Sequence, residues 1–128
     1  MMIDQKLEAL MYDWQRRPFV LGTTDCCQFA RAAAWSLHTV LVEHEPYTTD
    51  RQALRVLGAL GGYRGLLART HRPVPTGAAQ RGDIVILPGK APYREALGVV
   101  TGIHAHTTGH HGLVDVPRSK WVECWRVM

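Results

Sequence analysis

The sequence predicts an α+β fold in which N-terminal helices pack on a small C-terminal antiparallel sheet, and three observations predict it. Apolar residues recur at helical spacing through the first half of the chain. After residue 82 the period changes to short runs rich in Val, Ile and Trp, separated by turn residues. Between the two regimes lies RPVPTGAAQRG, whose prolines and glycines break both helix and sheet and which reads as a loop. Helices first and strands second is the α+β order.

The elements follow in turn. Ile3, Leu7, Leu10, Met11 and Trp14 fall on one face of a helix that Pro18 is expected to end. A short extended piece and a Gly22 turn lead to Thr23 or Thr24 as N-cap of an alanine-rich helix. The face of that helix, Cys26, Ala30, Ala33 and Leu37, is mostly small, so another element can approach closely along it. Thr49 and Gln52 read as a capping box for a third helix with Leu54, Leu57 and Leu60, terminated by Gly61 and Gly62. A short fourth helix is expected from Tyr63 to Thr70. The strands are DIVILP, ALGVVTG, the His-rich segment, GLVDVP and WVECWRV; Trp121, Trp125 and Val127 are expected on one side of the last, as core.

The 128 residues fit a single domain, 1–128, large enough to bury a core without disulfide or metal staples. No stretch approaches the roughly 18 apolar residues of a membrane span, and the acidic N-terminus does not resemble a signal peptide, so a soluble protein is expected. Cys26, Cys27 and Cys124 form no disulfide framework, since adjacent cysteines rarely pair, and three free thiols from a reducing compartment are expected. The net charge of +4 comes from twelve arginines and three lysines scattered along the chain. Without an aromatic-basic platform or a reader motif, that charge does not indicate nucleic-acid binding.

Chemistry concentrates at Cys26. A thiol on the first turn of a helix faces unpaired N–H groups and the positive end of the helix dipole, which stabilise the thiolate and make it a better nucleophile. The bland alternative is a buried cysteine acting as a small hydrophobe.

The run FVLGTTDCCQFA, with RGDIVILP and ALGVVTG some 55 residues later, resembles NlpC-type cell-wall peptidases of the papain-like superfamily. From Trp14 to Val127 the chain resembles, more closely, the short single-domain proteins encoded among tail genes of bacteriophages and gene transfer agents, whose pattern ends in a strand like WRVM. The resemblance implies cysteine peptidase chemistry on peptidoglycan stem peptides, with Cys26 as nucleophile. It also exposes a departure: the position of the general-base histidine is Ala96, and an alanine cannot take a proton. His104, His106, His110 and His111 lie just beyond. A two-residue turn at Gly102-Ile103 sets Thr101 opposite His104 and Ala96 opposite Gly109, which leaves His110 nearest the vacancy. The family's orienting polar residue, matched on the fragment IHA, nominates His104. His-x-His spacing invites a zinc reading, but without nearby Cys or acid partners a solvated hairpin tip is favoured, and no metal or cofactor is expected. Asp83 reads as a turn residue entering a strand.

The resulting expectation is a component of a phage or prophage tail tip or baseplate, carried in the virion after synthesis in the host cytoplasm, with peptidase activity weak or lost. Its partners would be other tail proteins and, in the second place, peptidoglycan. The alternatives are an active peptidoglycan endopeptidase and a cytosolic tail-assembly factor.

Overall fold

The computed structural model describes residues 2–37, 39, 41 and 44–128. Helices α1 (Ile3–Trp14), α2 (Cys26–Ser36), α3 (Asp50–Leu60) and α4 (Gly62–Ala68) precede strands β1 (His71–Val74), β2 (Ile84–Pro88), β3 (Glu95–Val100), β4 (Ala105–Gly109), β5 (Gly112–Val116) and β6 (Glu123–Val127). The strands form one antiparallel sheet in the order β1-β6-β2-β3-β4-β5. The α+β architecture read from the change of period is therefore the observed one.

Packing follows the alternation of the strands. On one face Ile84, Ile86, Leu97 and Trp125 meet Ala30 and Ala34 of α2 and Tyr63, Leu66 and Leu67 of α4. Beside them Val99 packs on Leu7, Leu10 and Trp14 of α1 and on Phe29 and Ala33 of α2, with the Trp14 and Phe29 rings 5.3 Å apart. The small side chains of α2 let it lie close to β3, as its sequence indicated. On the other face Val85, Leu87, Val100, Ala105, Trp121 and Cys124 form a second layer.

Several local readings change. Helix α1 ends at Trp14, ahead of Pro18, and Ile3 is exposed. The cap of α2 is Asp25, whose side chain accepts from Gln28 N, while Thr24 Oγ1 instead bonds Pro18 O and Val20 N. Thr49 caps α3, but Gln52 reaches back to Thr48 N, one residue earlier than a capping box requires. Gly61 closes α3 in the left-handed conformation, and Gly62 already belongs to α4. Part of the expected loop is strand β1: among the described residues it pairs only with β6, and at a sheet edge the missing donor of Pro73 is tolerated. Trp121 and Trp125 are both buried but on opposite faces of the sheet, because β6 begins only at Glu123 and the chain before it follows a different path.

The β3/β4 hairpin has the expected register, with Val99 opposite His106 and Val100 opposite Ala105. The ladder stops there. Thr107 Oγ1 donates to Leu97 O at 2.7 Å, and Gly109 O accepts from Phe19 N at 3.0 Å. The strands thus part at Leu97, just where α2 begins against the sheet.

Candidate functional site

Cys26 is the first residue of α2, as the sequence indicated. Asp25 holds that helix start in place. One of its oxygens accepts from Gln28 N at 3.1 Å, and the other from Gly22 N at 2.8 Å and Tyr47 Oη at 2.7 Å. The approach of the Tyr47 segment requires glycine at position 22, which has φ +83° and where a Cβ would lie 2.0 Å from Tyr47 O.

The thiol of Cys26 meets four kinds of group. Its acidity is raised first by a hydrogen bond from the adjacent Cys27 thiol, then by the Leu97 N–H freed where the strands part, and by the Tyr63 hydroxyl 4.0 Å away. Burial and the Asp25 carboxylate act in the opposite sense, and the balance holds the thiol below its ordinary pKa. Cys27 is pushed well above the ordinary value, because it donates to Cys26 and is itself partly desolvated. Burial likewise keeps the Tyr47 and Tyr63 hydroxyls protonated, hence able to donate. The arrangement favours a single thiolate at Cys26. All three cysteines are free thiols.

Cys26 opens on a cavity of about 460 Å³. It is lined by Ala53, Val56, Leu57 and Leu60 of α3, by Phe19 and Leu21, and by the β2–β3 connection from Gly89 to Tyr93. Ala96 lines this cavity, as do two imidazoles, His44 and His110. Neither is a hydrogen-bond partner of the sulfur. His44 is engaged with Gln28 (3.3 Å) and Glu45 O (2.8 Å) and stacks on Tyr47. His110 is exposed at the rim.

The candidate histidines are thus separated by the fold. His110 reaches the cavity edge; His104 does not line the cavity, but sits at the far end of the hairpin with Nδ1 2.7 Å from Asp115 Oδ2. His106 bonds Thr101 Oγ1 at 2.6 Å, and burial lowers its pKa. Among the described residues no cluster of three His, Cys, Asp or Glu side chains is placed to hold a metal, and no helix is long and apolar enough to cross a membrane. His38 lies outside the described residues.

Sequence reasoning missed Tyr47, Tyr63 and the Leu97 amide. Asp25 carried a signal, since aspartate is as good an N-cap as threonine and stands directly before Cys26. Nothing local marks the tyrosines, which lie 22 and 37 residues from their partners.

Comparison with known proteins supports the same architecture. The structure resembles RipD from Mycobacterium tuberculosis, described as a non-catalytic NlpC/p60 domain protein adapted to a peptidoglycan-binding function. The TM-score is 0.52 at 15% identity, over 100% of this chain and 99% of that one. The fold is therefore of the NlpC/p60 type. No curated protein sequence matches the chain. The model of a family described as a domain of unknown function, DUF6950, matches residues 2–127, and the chain belongs to that family.

Proposed function

We propose that this chain is a non-hydrolytic NlpC/p60-type domain serving as a component of a phage or prophage tail tip. The observation that carries the loss of activity is at Cys26: position 96 is alanine, and neither imidazole of the cavity is hydrogen-bonded to the sulfur. A cysteine nucleophile without a base loses both orientation and proton transfer, and the two groups act as a unit. The tail assignment is supported by the resemblance of the segment from Trp14 to Val127, ending in WRVM, to short tail-gene proteins. Other tail proteins would be its partners. RipD, of the same fold and non-catalytic, gives peptidoglycan binding as a precedent for what such a domain does without turnover.

The lowered Cys26 thiol favours a second reading, an endopeptidase in which His110 swings in from the rim as base. Incubation of the purified protein with isolated sacculi separates the two. Under the first reading no stem peptide is released and mass spectrometry finds the chain in purified particles. Release that Cys26→Ala abolishes establishes the enzyme, and absence from particles removes the tail role.

A further inference from the structure

Helix α3 carries its apolar residues at i, i+3, i+4 and i+7, as Ala53, Val56, Leu57 and Leu60, yet only Ala53 is fully buried. All four line the cavity above Cys26; Leu57 and Leu60 also pack in part on the core around Tyr63 and Leu66, while Val56 stays half-buried. Phe19, Leu21, Tyr63 and Leu66 add further apolar surface to the lining. A stem peptide, dense in carboxylates and amines, would need free charged partners there. The acidic side chains that line the cavity are already engaged: Asp25 with Gly22 N, Gln28 N and Tyr47, Asp50 with Tyr93, and Glu95 with Arg64. Lys90, exposed on the β2–β3 connection, is the one lysine or arginine among the described lining residues.

The connection also limits what can enter. It is strapped to the start of α3 by the Tyr93 hydroxyl, which donates to Asp50, and both residues line the cavity. A volume of about 460 Å³ under such a strap suits a small molecule and not a folded partner.

We propose that the cavity binds a single-chain amphiphile of medium length, with its alkyl chain along α3 and an anionic carboxylate at Lys90. This deepens the non-hydrolytic reading and rests on it, since the ligand is held beside Cys26 and not turned over. The same alkyl chemistry occurs in free fatty acids and in the acyl chains of membrane lipids; the strap favours the free carboxylate.

Sodium decanoate is the probe, with calorimetry and the rate of Cys26 alkylation by iodoacetamide as readouts. Decanoate is expected to bind and to slow alkylation of Cys26 at least fivefold, while butyrate, too short to cover the α3 stripe, does neither. Val56→Glu is expected to weaken binding at least tenfold. Lys90→Glu, on an exposed segment where folding is not at stake, should weaken decanoate and leave uncharged decanol unaffected. Equal effects of butyrate and decanoate overturn the proposal, as does binding that survives both substitutions. So does binding to phosphatidylglycerol vesicles without binding to decanoate, or protection of Cys26 by a stem tetrapeptide alone. Sacculus hydrolysis, in contrast, would overturn the non-hydrolytic reading whatever decanoate does.

Discussion

Arg126 closes on Asp83 with two hydrogen bonds, Nε to Oδ1 at 3.0 Å and Nη2 to Oδ2 at 2.9 Å. The pair joins the last strand to the residue that precedes β2, and so links the Gly-Asp and Trp-Arg-Val ends of the sequence pattern. Asp83 is 5% exposed and also accepts from Gln80 N and the Cys124 thiol. Removing the guanidinium leaves a buried carboxylate without its counter-charge, the costly way to break an ion pair. Arg126→Ala is expected to lower the urea midpoint clearly, and Arg126→Lys by less, since one donor can be regained. Arg17→Ala, which breaks the exposed pair with Asp13, should shift it little. Equal midpoints for Arg126→Ala and Arg17→Ala would contradict this account.

The order of helices and strands was legible because periodicity survives in the linear sequence; what failed to show were events that depend on a distant partner. The hairpin register followed from the Gly102-Ile103 turn, and Val99 does face His106. Its extension to Ala96 and Gly109 did not follow, because Phe19, far away in sequence, takes the Gly109 carbonyl. Strand β1 was hidden by Pro73, which is acceptable only because β6 leaves that strand at the edge. At the site, Cys26 was visible from its place before an alanine-rich helix. Tyr63 was not, since it reaches the sulfur only through the packing of α4 on the sheet.

Asp25 is the hub of the site's geometry, so its removal should be felt first in stability. Asp25→Ala deletes an N-cap and leaves the Tyr47 hydroxyl and the Gly22 N–H without their acceptor. A loss of about 2–3 kcal/mol is expected from a cap plus buried unpaired donors. Equilibrium denaturation measures it, and a loss confined to a few tenths would mean water satisfies these groups.

The acidity of Cys26 can be read directly from its alkylation rate against pH. With its pKa lowered, the rate should reach its plateau at a lower pH than that of a free thiol, while Cys27 reacts only at higher pH. The Asp25 carboxylate opposes ionisation of Cys26. Asp25→Asn, which keeps an acceptor but removes the charge, should therefore move the Cys26 profile to still lower pH. Site-resolved mass spectrometry distinguishes the two cysteines; coincident profiles would refute the asymmetry.

His71 predicts an acid-sensitive fold. It is 4% exposed at the start of β1, and burial lowers its pKa from 6.5, partly countered by Asp83. The folded protein thus keeps the imidazole neutral where the unfolded chain protonates it. Below about pH 6.5 the unfolded state binds more protons, so stability falls as pH decreases and is fully present above that value. His106, also lowered by burial, adds to the same trend. His71→Asn should flatten the decline of the urea midpoint between about pH 6.5 and 5. An unchanged slope would assign the acid sensitivity elsewhere.

Ala96→His tests what the cavity lacks. Position 96 lines the same cavity as Cys26, and the next residue supplies the N–H that reaches the sulfur. An imidazole introduced there gains a nearby thiol with lowered pKa, and a thiolate–imidazolium pair should form, carrying the Cys26 alkylation profile to lower pH. Turnover demands more, because the base must be held in one tautomer and orientation by a third group. From β4 the cavity is lined by Thr107, Thr108 and Gly109, and His104, the candidate orienting residue, is paired with Asp115 away from the cavity. Ala96→His is therefore expected to change thiol reactivity without releasing stem peptides from sacculi. Release by Ala96→His that Cys26→Ala removes would show that one histidine suffices and that the rest of a peptidase site is intact. An unshifted alkylation profile would show that residue 96 does not face the sulfur at all.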